Sequence, residues 1–201
     1  MRKLIVSMNI SLDGFMSGSR QELDWHFASW GSDMAEKLTR DLAQADTLLL
    51  GRNTYEAMAS YWREVEIDTF FPRDDIAHAV MLNTCQKLVY SRTLTELSWN
   101  NSRQVKGDLR RVVATLKQPR PGQEKNILVY GSGQLVAALT ALNLVDEYHL
   151  WVHPVVLGQG VPLFREGMEK VALDLFKMQT FRSGVVWFRY IVTKNALVPT
   201  D

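Results

Sequence analysis

The chain has 201 residues, 46% of them hydrophobic and 22% charged, the balance of a globular protein with one domain or at most two small ones. Its 23 Lys and Arg against 22 Asp and Glu leave a formal net charge of +1, so no global field recruits nucleic acid or an anionic membrane, and no basic run supplies one locally. A single cysteine, Cys85, excludes an internal disulfide and suits a reducing compartment; it reads as a small buried residue in preference to a nucleophile.

In chain order, the basic start is followed by only three consecutive apolar residues before Ser7, too few for a signal peptide, and no stretch approaches the length of a membrane span. The expectation is a soluble, cytoplasmic protein. Leu4 to Ile10 reads as a strand with Leu4, Val6, Met8 and Ile10 on one face and Ser7 and Asn9 on the other. A loop follows, with glycines at 14 and 18. Asp33 and Glu36 have capping-box-like spacing ahead of a helical stripe, Met34, Leu38 and Leu42. Residues 46–51 form a short buried strand ending in glycine, and 52–62 a helix with Tyr55, Met58, Ala59 and Trp62 on one face. Residues 63–72 read as an irregular loop, 74–83 as a short helix and 87–91 as another buried strand. Residues 105–117 are expected to be a helix with Val105, Leu109, Val112, Val113 and Leu116 inward.

Strand 126–130 then leads through Gly131-Ser132-Gly133 into a helix carrying Leu135, Val136, Leu139 and Leu142. Residues 145–156 read as a long strand. Residues 173–181 and 185–192 form a hairpin around Arg182-Ser183-Gly184. Strands alternate with helices to about residue 145, and strands dominate afterwards. This predicts a single α/β domain over residues 1–195, its central sheet mixed but mainly parallel, with flanking helices and antiparallel C-terminal strands. Residues 196–201 form a loose tail.

Three strand ends carry groups suited to anions. At Gly131-Ser132-Gly133-Gln134-Leu135-Val136 the third glycine of the dinucleotide fingerprint is absent. Glycine there serves either a phosphate approaching the backbone or the geometry of the turn alone. Free N–H groups at a helix start favour an anion. Gly51-Arg52-Asn53-Thr54 repeats the strand, glycine and helix pattern with a permanently charged fork, and Ser91 and Arg92 stand just past a third strand. In open α/β sheets ligands bind off the carboxyl ends of strands, so together these ends suggest one extended, multiply charged ligand such as a dinucleotide.

The stretches SLDGFMSG (11–18), LDW (23–25), LLLGRNTYE (48–56), LVYS (88–91), ILVYGSGQLVAAL (127–139) and LVDEYHLWVHPVVLGQGVPLF (144–164) resemble, in order and spacing, the dihydrofolate-reductase-like superfamily. The resemblance is to its branch containing the reductase domain of riboflavin-biosynthesis proteins. It implies NADPH lying across the strand ends. Gly51, Arg52, Asn53 and Thr54 would hold the adenosine-side phosphates, and Ser91 and Arg92 would flank the adenine ribose. Gly131, Ser132, Gly133, Gln134, Leu135 and Val136 would hold the pyrophosphate. Asp13 and Gly14 would cover the nicotinamide, and Trp25 matches a cofactor-contacting tryptophan. The riboflavin reductases carry a glutamate just before the glycine turn, where this chain has Tyr130.

The implied activity is NADPH-dependent reduction of a small nitrogen heterocycle, pterin-like or aminopyrimidine-like. Asp33 is a candidate carboxylate, with a helix-cap role as its alternative, and Tyr130 is a candidate hydrogen-bond donor to substrate. A non-catalytic nucleotide or pterin binder of the same fold is the competing reading. Trp25, Trp30, Tyr61, Trp62, Phe70 and Phe71 could stack on a flat ligand or serve as ordinary packing. His149 and His153 share one strand face about 13 Å apart, too far for a common metal, and read as core or interface histidines. No Cys/His spacing makes a zinc site, so no metal is expected. The resemblance also implies a homodimer paired through the C-terminal strands, a reading to which the apolar stretch 149–158 contributes.

Overall fold

The computed structural model describes residues 1–65 and 73–193. Eight strands form one sheet in the order β5-β4-β3-β6-β1-β7-β10-β9. In chain order these are β1 (Leu4–Ser11), β3 (Ala45–Gly51), β4 (Gln86–Tyr90), β5 (Ser102–Val105), β6 (Asn126–Tyr130), β7 (Glu147–His153), β9 (Leu173–Thr180) and β10 (Val186–Val192). From β5 to β7 the neighbours run parallel; β10 pairs antiparallel with both β7 and β9. The sheet is therefore mixed and mainly parallel, with antiparallel C-terminal strands, as the alternation of elements predicts.

The helices are α1 (Asp24–Phe27), α2 (Ser32–Leu42), α3 (Arg52–Val65), α4 (Arg73–Thr84), α5 (Leu109–Lys117) and α6 (Gly133–Ala141). Helices α5 and α6 cover one face, joining Leu4, Val6, Met8, Ile127 and Val129 in one core. Helices α2, α3 and α4 cover the other, packing Leu42, Tyr55, Ala59 and Leu82 on Ile5, Leu50, Val89 and Leu128. Lys87, fully buried, caps the end of α4 by donating to the carbonyls of Leu82, Asn83 and Cys85, which supplies acceptors for its charge at the negative end of the helix. Among the described residues no helix is long and apolar enough to cross a membrane.

Several elements differ from expectation. Val105 ends β5 and does not begin a helix; Gly107, at φ +107°, breaks the chain and Asp108 caps α5 by accepting from Arg111 N. Residues 154–156 leave β7, whose last residue is His153. The N-cap of α2 is Gly31, so Asp33 lies inside the first turn. A second small sheet pairs β2 (Phe15–Ser17) with β8 (Val161–Pro162). Helix α3 continues to Val65; the rest of the expected loop 63–72, with Phe70 and Phe71, and the tail 196–201 lie outside the described residues. The apolar stretch 149–158 is not an outer surface in its first half, because β7 is sandwiched between β1 and β10. Val156 in its second half is exposed, and three further exposed apolar side chains, Leu175, Phe176 and Met178, lie on the edge strand β9.

At the amino end of β7, Glu147 is buried and accepts from Lys3 Nζ (2.7 Å), Arg189 Nε (2.8 Å) and Arg189 Nη2 (3.0 Å), with His149 Nε2 at 3.3 Å. Burial alone would raise its pKa, but these hydrogen bonds and the Arg189 charge outweigh it and hold the carboxyl well below the usual range. A depressed carboxyl contributes stability that is present above its unfolded pKa of about 4.3 and lost as pH falls below it. Replacing Glu147 by Gln is expected to cost about 3 kcal/mol at pH 7 by stranding the paired cations. It should also flatten the acid side of the stability profile, both read from urea midpoints between pH 7 and pH 3.5.

Candidate active site

Two of the strand-to-helix turns at the carboxyl side of the sheet are neighbours, from β3 into α3 at Gly51–Arg52 and from β6 into α6 at Gly131–Gly133. The two turns touch. Ser132 Oγ accepts from Gly51 N at 2.8 Å and lies 3.3 Å from the carbonyl of Tyr130, to which it can donate. Ser132 holds φ +64° and ψ 56°, a left-handed conformation costing a non-glycine residue about 1–2 kcal/mol. Gly131, at φ +53°, lies so close to Thr54 that a Cβ would sit 3.1 Å from its Cγ2. Two helix N-termini thus abut, and their dipoles add in one place. The first intrahelical bond of α6 is Val136 N to Ser132 O, which leaves the N–H groups of Gly133, Gln134 and Leu135 in the unpaired first turn. Val136 has no polar group left over, and its side chain, like that of Leu135, is buried in the core.

Arg52, Asn53 and Arg92 are exposed beside these turns. Ser91 Oγ already accepts from Thr93 N (3.2 Å) and Leu94 N (3.1 Å), so it shapes its own turn. The strand ends therefore bring Gly51–Thr54 and Gly131–Leu135 into contact, with Ser91 and Arg92 one strand further out on β4.

On the α2 face, the pairings Tyr130↔Ser7 and Ser7↔His149 form one row across β6, β1 and β7; Asn9↔Trp151 and Ser11↔His153 form the next two. Paired residues share a face. Trp151 Nε1 donates to Ser7 Oγ at 3.3 Å, and His153 Nε2 is 2.9 Å from Asn9 Oδ1. The hydroxyl of Tyr130 is buried and has no hydrogen-bond partner. Burial, and then the charges of Asp41 and Cys85, push its pKa well above the ordinary phenol value, so it stays a protonated donor at neutral pH.

The segment after β1 covers the carboxyl end of the sheet, its Met16 joining the core on the α5 and α6 side. Asp13 accepts from Ser11 Oγ (2.6 Å), Leu157 N (3.2 Å) and Gly158 N (2.8 Å), bonds that lower its pKa, the serine foremost. Gly14 lends its carbonyl to Leu163 N at 3.0 Å. A Cβ at Gly160 would lie 2.2 Å from the carbonyl of Ser17, so only glycine lets this turn meet the cover. Met16, from β2, reaches the glycine turn: a Cβ at Gly133 would sit 2.5 Å from its Cε. Trp25, on α1, packs edge-on against His153 with ring centroids 5.3 Å apart.

Asp33 is not gathered with Tyr130. Its oxygens accept from Met34 N (2.9 Å) and from Arg182 N (3.3 Å) in the β9–β10 turn, and β10 is three strand spacings, about 14 Å, from β6. Tyr61 and Trp62 lie beyond two turns of α3, where Trp62 packs on His78 of α4. Trp30 is partly exposed. Sequence reasoning missed Ser7, Asn9, His26 and His153 as a group; the alternating polar face of β1 was the available signal. Among the described residues no cluster could hold a metal ion.

A mainly parallel sheet with antiparallel C-terminal strands and helices on both faces defines a dihydrofolate-reductase-like domain. The RibD C-terminal domain model matches residues 2–187, and the chain belongs to that family. It is 34% identical to Bacillus subtilis YyaP over 94% of each chain, and 28% identical to B. subtilis YwjB over 92% of this chain and 95% of that one. Among solved structures it is similar to a putative riboflavin biosynthesis protein from Shewanella sp. PV-4, with a TM-score of 0.72 and 24% identity over 96% of this chain and 99% of that one. A pyrimidine reductase-like protein from Corynebacterium diphtheriae gives a TM-score of 0.65 at 15% identity over 96% and 93%.

Replacing Ser132 by Ala removes the acceptor for Gly51 N and is expected to cost about 1–2 kcal/mol, measured by urea unfolding.

Proposed function

We propose that the protein is an NADPH-dependent reductase of a small, flat nitrogen heterocycle of the pterin or aminopyrimidine class. The observation that carries this reading is the contact of the two helix N-termini through Ser132 and Gly51, which makes a cradle for a pyrophosphate. Gly133, Gln134 and Leu135 would offer backbone N–H groups there, with Asn53 and Thr54 at the start of α3 beside them. Arg52 or Arg92 would meet the 2′-phosphate of the adenine ribose, since a dianion needs a cation. When bound, NADPH supplies a hydride. The chain's own part is alignment, exclusion of water by the cover over β1, and a proton. Tyr130 is the donor that fits: its hydroxyl is buried, unpartnered and held protonated. Family membership supports the reading, as does the fold shared with a diaminohydroxyphosphoribosylaminopyrimidine deaminase/5-amino-6-(5-phosphoribosylamino)uracil reductase from Thermotoga maritima.

Titration of NADPH against the fluorescence of the six tryptophans tests the cradle, and absence of binding overturns the proposal. With a substrate from a panel of dihydropterins and aminopyrimidines, Tyr130→Phe is expected to lower kcat about 100-fold with unchanged NADPH affinity. Binding without consumption of NADPH across the panel would favour a non-catalytic binder.

We further propose that two copies pair through the β9 edge. Leu175, Phe176 and Met178 are 53%, 60% and 55% exposed there, and an open apolar edge otherwise invites aggregation. Light scattering at micromolar concentration is expected to give a dimer, and Leu175→Glu combined with Met178→Glu a monomer.

A further inference from the structure

We propose that Asn9, Trp25, His26 and His153 form a subsite that reads the cis-amide edge, –NH–C(=O)–, of the heterocycle; this deepens the reductase reading and rests on it for the ligand's class. His153 is fully buried at the end of β7, with Nε2 2.9 Å from Asn9 Oδ1. An amide oxygen only accepts, so the proton of the imidazole lies on Nε2 and Nδ1 presents a bare lone pair. Burial, and then the neighbouring His26, lower the pKa of His153 to about 4, so the ring is neutral at physiological pH. Its Nδ1 has no partner.

Trp25 Nε1 is the complementary case. It can only donate, it is buried, and it too has no partner. The two rings stand edge to face at 89°, with centroids 5.3 Å apart, so the two unpaired nitrogens belong to rings in direct contact. His26 completes the cluster, 5.5 Å from Trp25 and 5.9 Å from His153, with its own Nδ1 unpartnered and its pKa lowered by burial. Buried polar atoms in native proteins are almost always paired, and three orphan nitrogens in one ring cluster call for a missing partner.

The chemistry of that partner follows from the donor pattern. A carboxylate would satisfy Trp25 but set an acceptor against the lone pair of His153. An ammonium group would satisfy His153 and leave Trp25 unpaired. A cis-amide edge supplies a donor and an acceptor side by side in one plane. Asn9 is one strand pair beyond Ser7, and Ser7 pairs with Tyr130. A ring held by this edge therefore lies along the polar face of β1 toward the Tyr130 hydroxyl.

The test compares 5,6-diaminouracil with 5,6-diamino-1,3-dimethyluracil, which keeps both carbonyls and replaces both ring N–H groups, by calorimetry on the full chain. The parent compound is expected to bind at least ten-fold more tightly. His153→Phe, which keeps the aromatic contact and removes the lone pair, should weaken the parent about ten-fold and abolish the preference while leaving NADPH affinity unchanged. Trp25→Phe should weaken both compounds alike, and it carries the test should His153→Phe fail to fold. Equal affinity of the native protein for the two compounds, no binding of either, or a preference that survives the variants overturns the proposal. A preference that holds in a protein unable to bind NADPH would sink the reductase reading and leave the subsite. NADPH binding with no preference would do the reverse.

Discussion

One hydroxyl holds the two strand-to-helix turns together. Ser132 Oγ accepts the N–H of Gly51 and so fixes the start of α3 against the start of α6. The bond has conformational consequences on both sides. Ser132 must adopt the left-handed region to reach back, Gly131 must do the same to let Thr54 approach, and Gly133 must leave room for Met16. Glycine at two of these positions and a small hydroxyl at the third satisfy the set. The strain stored in the turn is offset by the bond it makes, and the geometry leaves the N–H groups of both helices pointing to the same side of the sheet.

Strand β1 departs from the rule for parallel strands. Strands buried on both faces are usually continuous apolar runs, and β3, with Leu48, Leu49 and Leu50, follows it. β1 does not: Leu4, Val6, Met8 and Ile10 pack under α5 and α6, while Ser7, Asn9 and Ser11 face the other way. Polar groups in such a place need partners. Trp151 serves Ser7, His153 serves Asn9, and Asp13 serves Ser11. Several buried polar atoms on this side stay without a hydrogen bond, among them the Tyr130 hydroxyl, the Trp25 indole and Nδ1 of His26, His149 and His153; Trp187 Nε1 and Thr193 Oγ1 make none as well.

The local patterns in the sequence carry the sheet and the three strand ends, because each is a contiguous strand, turn and helix with its own periodicity and punctuation. Three kinds of feature escape that reading. β2 and β8 have three and two residues, too short for any period, and exist because Asp13 and Gly160 clamp their flanks together. Val105 fits the stripe of Leu109 and Val113 on spacing alone, yet Gly107 and the Asp108 cap set the helix start later. His26 and His153 are far apart in the chain, and their meeting depends on the cover folding back over the end of β7, which no local pattern encodes. Asp33 has the right residue type near the right place, but the β9–β10 turn claims its carboxylate.

Charge is sorted along the strands of this chain of net charge +1. At the amino side of the sheet the charges are paired: Arg2 with Asp46, Lys117 with Asp146, and Glu147 with Lys3 and Arg189. These pairs close the sheet against solvent and cancel one another at short range. At the carboxyl side the positive ends of α3 and α6 stand with Arg52 and Arg92, while the buried histidines are kept neutral by desolvation. An anion at these turns would meet helix dipoles and guanidinium groups without competition from buried imidazolium. A neutral heterocycle on the polar face of β1 would meet donors and acceptors but no net charge. The separation suits a ligand pair in which one member is highly charged and the other is not, each recognised by a different kind of interaction within one cleft.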